Sequence, residues 1–349
     1  MNATSPADLG YRWPAEWEAH AATWFSWPHN PETWPGCLAR AERAFVAMVR
    51  ALHAHEMVCI NVQDEAMEAR VRALLLQGGV DVERSVRCFQ IPTDDAWVRD
   101  HGPIFVVRQK DGRRERALLD FGFNAWGGKY PPWQRDDAVP QQMAEQLGLP
   151  RFPLPWILEG GSIDGNGRGL VLTTESCLLH PNRGAGRTRE MLAAMLERTL
   201  GAKRVLWLAG GIEGDDTDGH IDDVARFVDA STVVAVLEED AASPHAAILQ
   251  ENARRLRRMR DLDDKPLRVV PLPMPQPRVV AGQQCPASYA NFYIGNGSVL
   301  VPTFEAPSDE RALAILRELF TGRDVVGIDS RDLVVGLGAV HCLTQQEPL

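Results

Sequence analysis

The sequence predicts a mixed α/β protein, one domain over residues 1–349, in which pseudo-symmetric strand-and-helix units close into a ring. Three observations predict it. A polar or glycine-bearing start leads into a strand, a tight turn and a second strand at DHGPIFVV, GGSIDGNGRGLVLTT, GHIDDVARFVDASTVVAV and SYANFYIGNGSVLVPTF. Amphipathic stretches and further short strands lie between these hairpins, so each unit carries faces that only stacking on a neighbour can bury. No linker, low-complexity tract or charge run breaks the chain, and a closed ring leaves few exposed sheet edges.

Taken in order, Tyr11 to Trp34 holds five of the ten tryptophans, Trp13, Trp17, Trp24, Trp27 and Trp34, which read as core or lid packing. A strand near Thr23 to Trp27 is expected to pair with a last short strand at His341 to Thr344 and so close the ring. A helix is expected from Pro35 to Glu56, because Leu38, Phe45, Met48, Val49 and Leu52 recur at helical spacing. Amphipathic segments follow at Met67 to Leu75, Met143 to Leu147, Met191 to Leu200, Ile248 to Met259 and Leu313 to Phe320. Asp111-Gly112 and Gly295-Asn296-Gly297 are hairpin turns. Unit starts recur at Gly102, Gly161, Gly219 and Asn291, and the proline-rich piece from Pro271 to Pro286 reads as an ordered loop over the site.

Composition narrows the function. A chain 45% hydrophobic and 24% charged can bury a substantial core. Its net charge of -10 excludes a non-specific nucleic-acid binder, which needs clustered Lys and Arg, and favours a small cationic partner. No basic n-region precedes an apolar core and no run is apolar enough to span a bilayer, so no membrane partner and a cytoplasmic address are expected. Association into a homo-oligomer is left open. Six dispersed cysteines without a Cys-x-x-Cys pair signal neither a zinc site nor a redox motif.

The chemistry gathers at the unit starts. In DDTDGHIDDVARFV, His220 and Asp222 stand two residues apart at the mouth of an expected strand, where both would face one space. Asp100 in DDAWVRDHGP, Glu159 in LEGGSI and Cys342 in GAVHCLTQQ complete a set of one imidazole, three carboxylates and one thiol. Carboxylates can hold a guanidinium, a thiol can add to its planar carbon, and an imidazole can move the protons.

The strings EGGSI, DDTDGHIDDVARFVD, NFYIGN and GAVHCLTQQ, preceded by PAEWEAHAATWFSWP and WVRDHGP, resemble the agmatine deiminase family, close to its bacterial peptidylarginine deiminase branch. The resemblance implies a pentein α/β propeller of five ββαβ-type units around a central site. It makes Cys342 the nucleophile, His220 the general acid and base, and Glu159 a support for the imidazole and the guanidinium end. Asp100 and Asp222 would clamp the guanidinium nitrogens. Trp97 and Trp126 would wall the substrate channel, and Asn291 matches a functional asparagine of the peptidylarginine branch. No metal or organic cofactor is implied. With agmatine as substrate, a Cys342 thiouronium intermediate would lead to N-carbamoylputrescine and ammonia. A peptidylarginine or other guanidino deiminase is the alternative, and an amidinotransferase, a thiol amidohydrolase or a non-enzymatic binding propeller are rival classes. One departure stands out: Asp218 and Asp223 occupy positions where familiar agmatine deiminases carry Asn.

Neighbouring groups have plainer readings. His341 is expected on the opposite face of its strand from Cys342, in a structural role. Asp94, Asp95 and Asp215 to Asp218 read as solvated loop charges, and Arg99 as the partner of a carboxylate.

Overall fold

Residues 4–349 are described by a computed structural model. Each expected hairpin is present and opens a three-stranded sheet. Ile104–Lys110 pairs antiparallel with Arg113–Gly122, which pairs parallel with Arg151–Ile157. The same order repeats in Ile163–Gly165, Leu170–Thr174 and Arg204–Leu208, and again in Ala225–Phe227, Thr232–Leu237 and Arg268–Pro273. It recurs in Tyr293–Ile294, Ser298–Thr303 and Asp324–Asp329. A parallel partner needs a crossover, and the helices Val139–Leu147, Arg189–Leu200, Ala246–Leu256 and Asp309–Leu319 supply it. Asp111 and Gly112 both have positive φ, 51° and 73°, the pattern of the primed two-residue turn that matches strand twist.

The chain ends meet in one further sheet. Gln345–Pro348 pairs antiparallel with His20–Ser26, followed in parallel by Met57–Val62 and Val86–Gln90. The closing strand therefore begins at Gln345, whereas His341 to Thr344, expected as strand, form a turn in which the Thr344 N–H donates to the His341 carbonyl. The expectation that His341 faces away from Cys342 falls with that strand, because alternation of faces holds only in extended backbone.

The first helix, Leu38–Leu52, is shorter at both ends than Pro35 to Glu56 and buries Ala41, Ala44, Phe45, Met48, Val49 and Leu52. Phe45 packs on Phe25, Trp27 and Trp34 with ring centroids 5.9, 5.7 and 6.4 Å apart. Trp24, Trp27 and Trp34 are fully buried, so the tryptophan-rich segment is core. No helix among the described residues is long and apolar enough to cross a membrane. All six thiols are unpaired.

Candidate active site

Each unit start ends in a tight turn, and three of these turns meet. Val98–His101 forms one helical turn, the 3-10 turn Gly160–Ser162 lies against it, and a second 3-10 turn, Ile221–Asp223, lies against Gly160–Ser162. His220 and Asp222 thus share a space as expected, but on a 3-10 turn and not a strand. Asp215 makes that turn: its carboxylate accepts the N–H of Thr217 at 2.8 Å and of His220 at 2.9 Å, so it is structural and not a solvated charge. At the centre is Gly161. A Cβ there would lie 2.6 Å from His220 Nδ1 and 2.8 Å from Asp100 Oδ1, closer than side chains tolerate, and 3.1 Å from Asp222 Oδ2.

The thiol belongs to the same cluster. Cys342 Sγ lies 3.8 Å from Asp222 Oδ2, and Asn291 Nδ2 donates to Sγ at 3.1 Å while also meeting Asp223 Oδ1 at 3.0 Å. Asn291 Oδ1 accepts the His341 N–H at 2.9 Å, which ties the turn carrying the thiol to the loop before Tyr293–Ile294. Asp100 accepts from the Gly161 N–H at 3.1 Å and from Trp126 Nε1 at 3.1 Å. Trp126 reaches it with φ 54°, in a run of positive φ from Ala125 to Gly128 that only the two following glycines adopt freely. Trp97 stacks on Trp34 with centroids 5.4 Å apart. The structure thus brings all eight sequence-predicted residues into one neighbourhood.

A cavity of about 740 Å³ opens onto this cluster. Cys342, Asp100, Trp97 and Trp126 line it, while His220, Glu159, Asp222 and Asn291 stand behind them, all buried. Asp94 and Asp95 also line it, and Asp95 is not a solvated charge: it accepts from Thr33 Oγ1 at 2.5 Å. The hairpin 278–285 supplies Val280, Ala281, Gln283 and Cys285 to the wall, as expected of the proline-rich loop.

The charges set the resting state. Burial raises the Cys342 thiol well above its ordinary range, and Asp222, Asp223 and Asp100 push it further. Burial would lower His220, but Asp100 first, then Cys177 and Glu159, hold its imidazole well above the usual value. Burial, with Asp222 and Glu159, raises Asp100 to about 6 despite the attraction of His220. Glu159 stays low because Arg183, donating from Nε at 2.8 Å, outweighs burial. Asp222 also stays low, since the His341 hydrogen bond more than offsets its burial. The free site therefore holds a thiol, an imidazolium and ionised Glu159 and Asp222.

At the site, four buried polar atoms have no hydrogen-bond partner among the described residues: Glu159 Oε1, Asp222 Oδ1, and both ring nitrogens of His220. Such atoms cost stability unless something else satisfies them. Glu159, Cys177 and His220 also bring one ligand-type atom each within 4.8 Å of one another. Glu159 Oε2 is already committed to Arg183, whose buried positive charge opposes a metal ion there.

Sequence reasoning missed three residues of this cluster. Arg183 joins Glu159 to Asp218, 2.7 Å from its other side, and Asp218 also takes Lys129 Nζ at 2.7 Å. Asp218 is thus an ion-pair partner and not a solvated charge. Glu16 and Arg226 form a buried pair at 2.9 Å, with Arg99 3.5 Å from the same Glu16 oxygen, as expected of an arginine seeking a carboxylate. Asp223 behaves differently: burial, then Asp222 and Asp215, raise it well above the carboxylate range. The PAEWEAH string holding Glu16 and the DDVARFVD run holding Arg226 are the advance signals; Arg183 has none.

A buried thiol, an imidazolium and carboxylates with free oxygens, on this mixed α/β fold, define a pentein-like enzyme of the cysteine-dependent guanidino class. The fold is shared with SxtG, an amidinotransferase from Microseira wollei (TM-score 0.51, 13% identity, 95% of each chain covered), and at that identity only the fold is shared. Residues 12–348 match the Porphyromonas-type peptidyl-arginine deiminase family, and the chain belongs to it together with the agmatine deiminases. An agmatine deiminase of Stutzerimonas stutzeri is 36% identical over 368 residues, covering 99% of this chain and 97% of the relative. The agmatine deiminase structure of Enterococcus faecalis superposes with a TM-score of 0.91 at 32% identity, covering 100% of this chain and 98% of that one.

Proposed function

We propose that the chain is an agmatine deiminase, hydrolysing agmatine to N-carbamoylputrescine and ammonia, with residues 1–349 as one catalytic domain. The four repeated sheets and the sheet joining the chain ends support a five-unit propeller around the site. The observation that carries the function is the pair of free, buried carboxylate oxygens, Glu159 Oε1 and Asp222 Oδ1. A guanidinium supplies both the N–H donors and the positive charge they lack.

In this reading Asp100 and Asp222 clamp the guanidinium nitrogens and Glu159 supports the imidazole and the same end of the substrate. Guanidinium binding ionises the Cys342 thiol, whose proton passes to solvent, and Sγ as thiolate adds to the guanidinium carbon. The C–N bond breaks, and ammonia leaves with a proton from His220. The thiouronium remains. Water then gives a proton to His220, its oxygen adds to the same carbon, and the C–S bond breaks as the remaining O–H proton passes to solvent, which releases the neutral ureido product and the thiolate. Trp97 and Trp126 wall the channel and Asn291 orients Sγ.

The cavity wall favours agmatine. Glu32, Asp94, Asp95 and Asp216 line it, whereas its Lys129 already bonds Asp218 and the Asp216 carbonyl. A ligand cationic at both ends suits that wall better than one with a free carboxylate. The family's own description favours arginyl peptides as the second reading, and the cavity is much larger than a guanidinium needs. Ammonia release from agmatine, arginine and arginyl peptides, with and without an amine acceptor, decides. The highest kcat/KM is expected with agmatine and no transfer product; a higher value with arginyl peptides replaces this reading with the second.

A further inference from the structure

His341 sits between two buried carboxylates. Its Nδ1 lies 2.7 Å from Asp222 Oδ2 and its Nε2 lies 2.8 Å from Glu16 Oε2. The ring is 2% exposed, and the oxygen it meets on Asp222 is the one 3.8 Å from Cys342 Sγ. Glu16 is ionised, since Arg226 and Arg99 both face the same oxygen. Two ionised carboxylates can only accept, and the ring sets one nitrogen against each of them.

We propose that His341 is a positioning residue for the deiminase reaction, acting through Asp222. By occupying Oδ2 it fixes the carboxylate rotamer and leaves Oδ1 free to take a guanidinium N–H. The hydrogen bond at Oδ2 also draws on the Asp222 charge that Sγ would otherwise meet alone. Glu16, held by Arg226 and Arg99, anchors the ring from behind. The turn at His341 to Thr344 makes this possible, because consecutive residues can contact the same carboxylate from two sides there.

The proposal rests on the guanidinium reading of Asp222, so one readout is independent of any substrate. In His341→Asn, alkylation of Cys342 by iodoacetamide at a fixed pH near 8 should slow about tenfold, the effect of one unit of thiol pKa. A side chain that merely fills space would lower Tm and leave this rate unchanged. With the best guanidino substrate, kcat/KM should fall by about a hundredfold in the same variant. In an Asp222→Asn background the same change should cost far less, since the group it acts through is gone. Glu16→Gln removes only the anchor and should slow alkylation in the same direction, which keeps the test alive if His341→Asn does not fold. Wild-type alkylation rates in both variants, or full additivity with Asp222→Asn, overturn the proposal. A wild-type protein that turns over no guanidine refutes the functional reading alone, because alkylation still reports on His341.

Discussion

Replacing Asp222 by Asn should make the nucleophile easier to ionise while weakening the substrate's grip. Sγ and Oδ2 are 3.8 Å apart. At an effective dielectric of about 20, two unit charges at that distance repel by about 4 kcal/mol, and in water by about 1. Since about 1.4 kcal/mol moves a pKa by one unit, the bounds are roughly 1 and 3 units. His341 already offsets part of the Asp222 charge, so a drop of about 1 to 2 units is expected. The assay is the pH dependence of thiolate absorbance, taken as the difference from Cys342→Ala, with iodoacetamide labelling and peptide mapping to separate the five other cysteines. The wild-type thiol should titrate above the ordinary value of about 8.5, so that bound guanidinium, close to the sulfur and pairing with the carboxylates, assists its ionisation. An unchanged or higher pKa in Asp222→Asn refutes the electrostatic reasoning. A wild-type pKa well below that of a model thiol would mean a preformed thiolate and would end the substrate-assisted account.

Cys342→Ala should abolish ammonia release, since no other group at the site can form the covalent intermediate; surviving turnover would sink the mechanism. His220→Ala should stop turnover or stall at an adduct visible by mass spectrometry. Asp100, raised to about 6, must be ionised to hold a cation, so kcat/KM should fall about tenfold per unit as pH drops below 6, and Asp100→Asn should remove that limb. Asp136 is buried, accepts the N–H groups of Asp94 and Asp95 at 2.7 and 3.2 Å, and is raised chiefly by burial to about 8. Its folded form binds a proton that the unfolded chain releases near 4, so its contribution to stability is present below 4 and is lost as pH rises through 8. Asp136→Asn should therefore gain Tm relative to wild type between pH 5 and 8; a constant difference across that range would show that Asp136 does not titrate there.

The helices and hairpins were legible because their causes are local. Leu38 to Leu52 carries its own apolar stripe, and Asp111-Gly112 its own positive φ. The motifs likewise singled out Cys342, His220, Glu159, Asp100 and Asp222, since each stands beside glycines or turn residues that mark a unit start. The tertiary structure alone decided the rest. His220 and Asp222 lie at a 3-10 turn whose approach Asp215 fixes by accepting the His220 N–H, and a period-two reading cannot see such a side-chain bond. His341 looked structural from its neighbour in the chain, yet its two partners lie 119 and 325 residues away. Arg183 satisfies Glu159 from 24 residues on, and Arg226 satisfies Glu16 from the far side of the chain. A buried charge must find an opposite charge within a few ångströms, and folding can draw that partner from anywhere in the sequence, so no local pattern announces it.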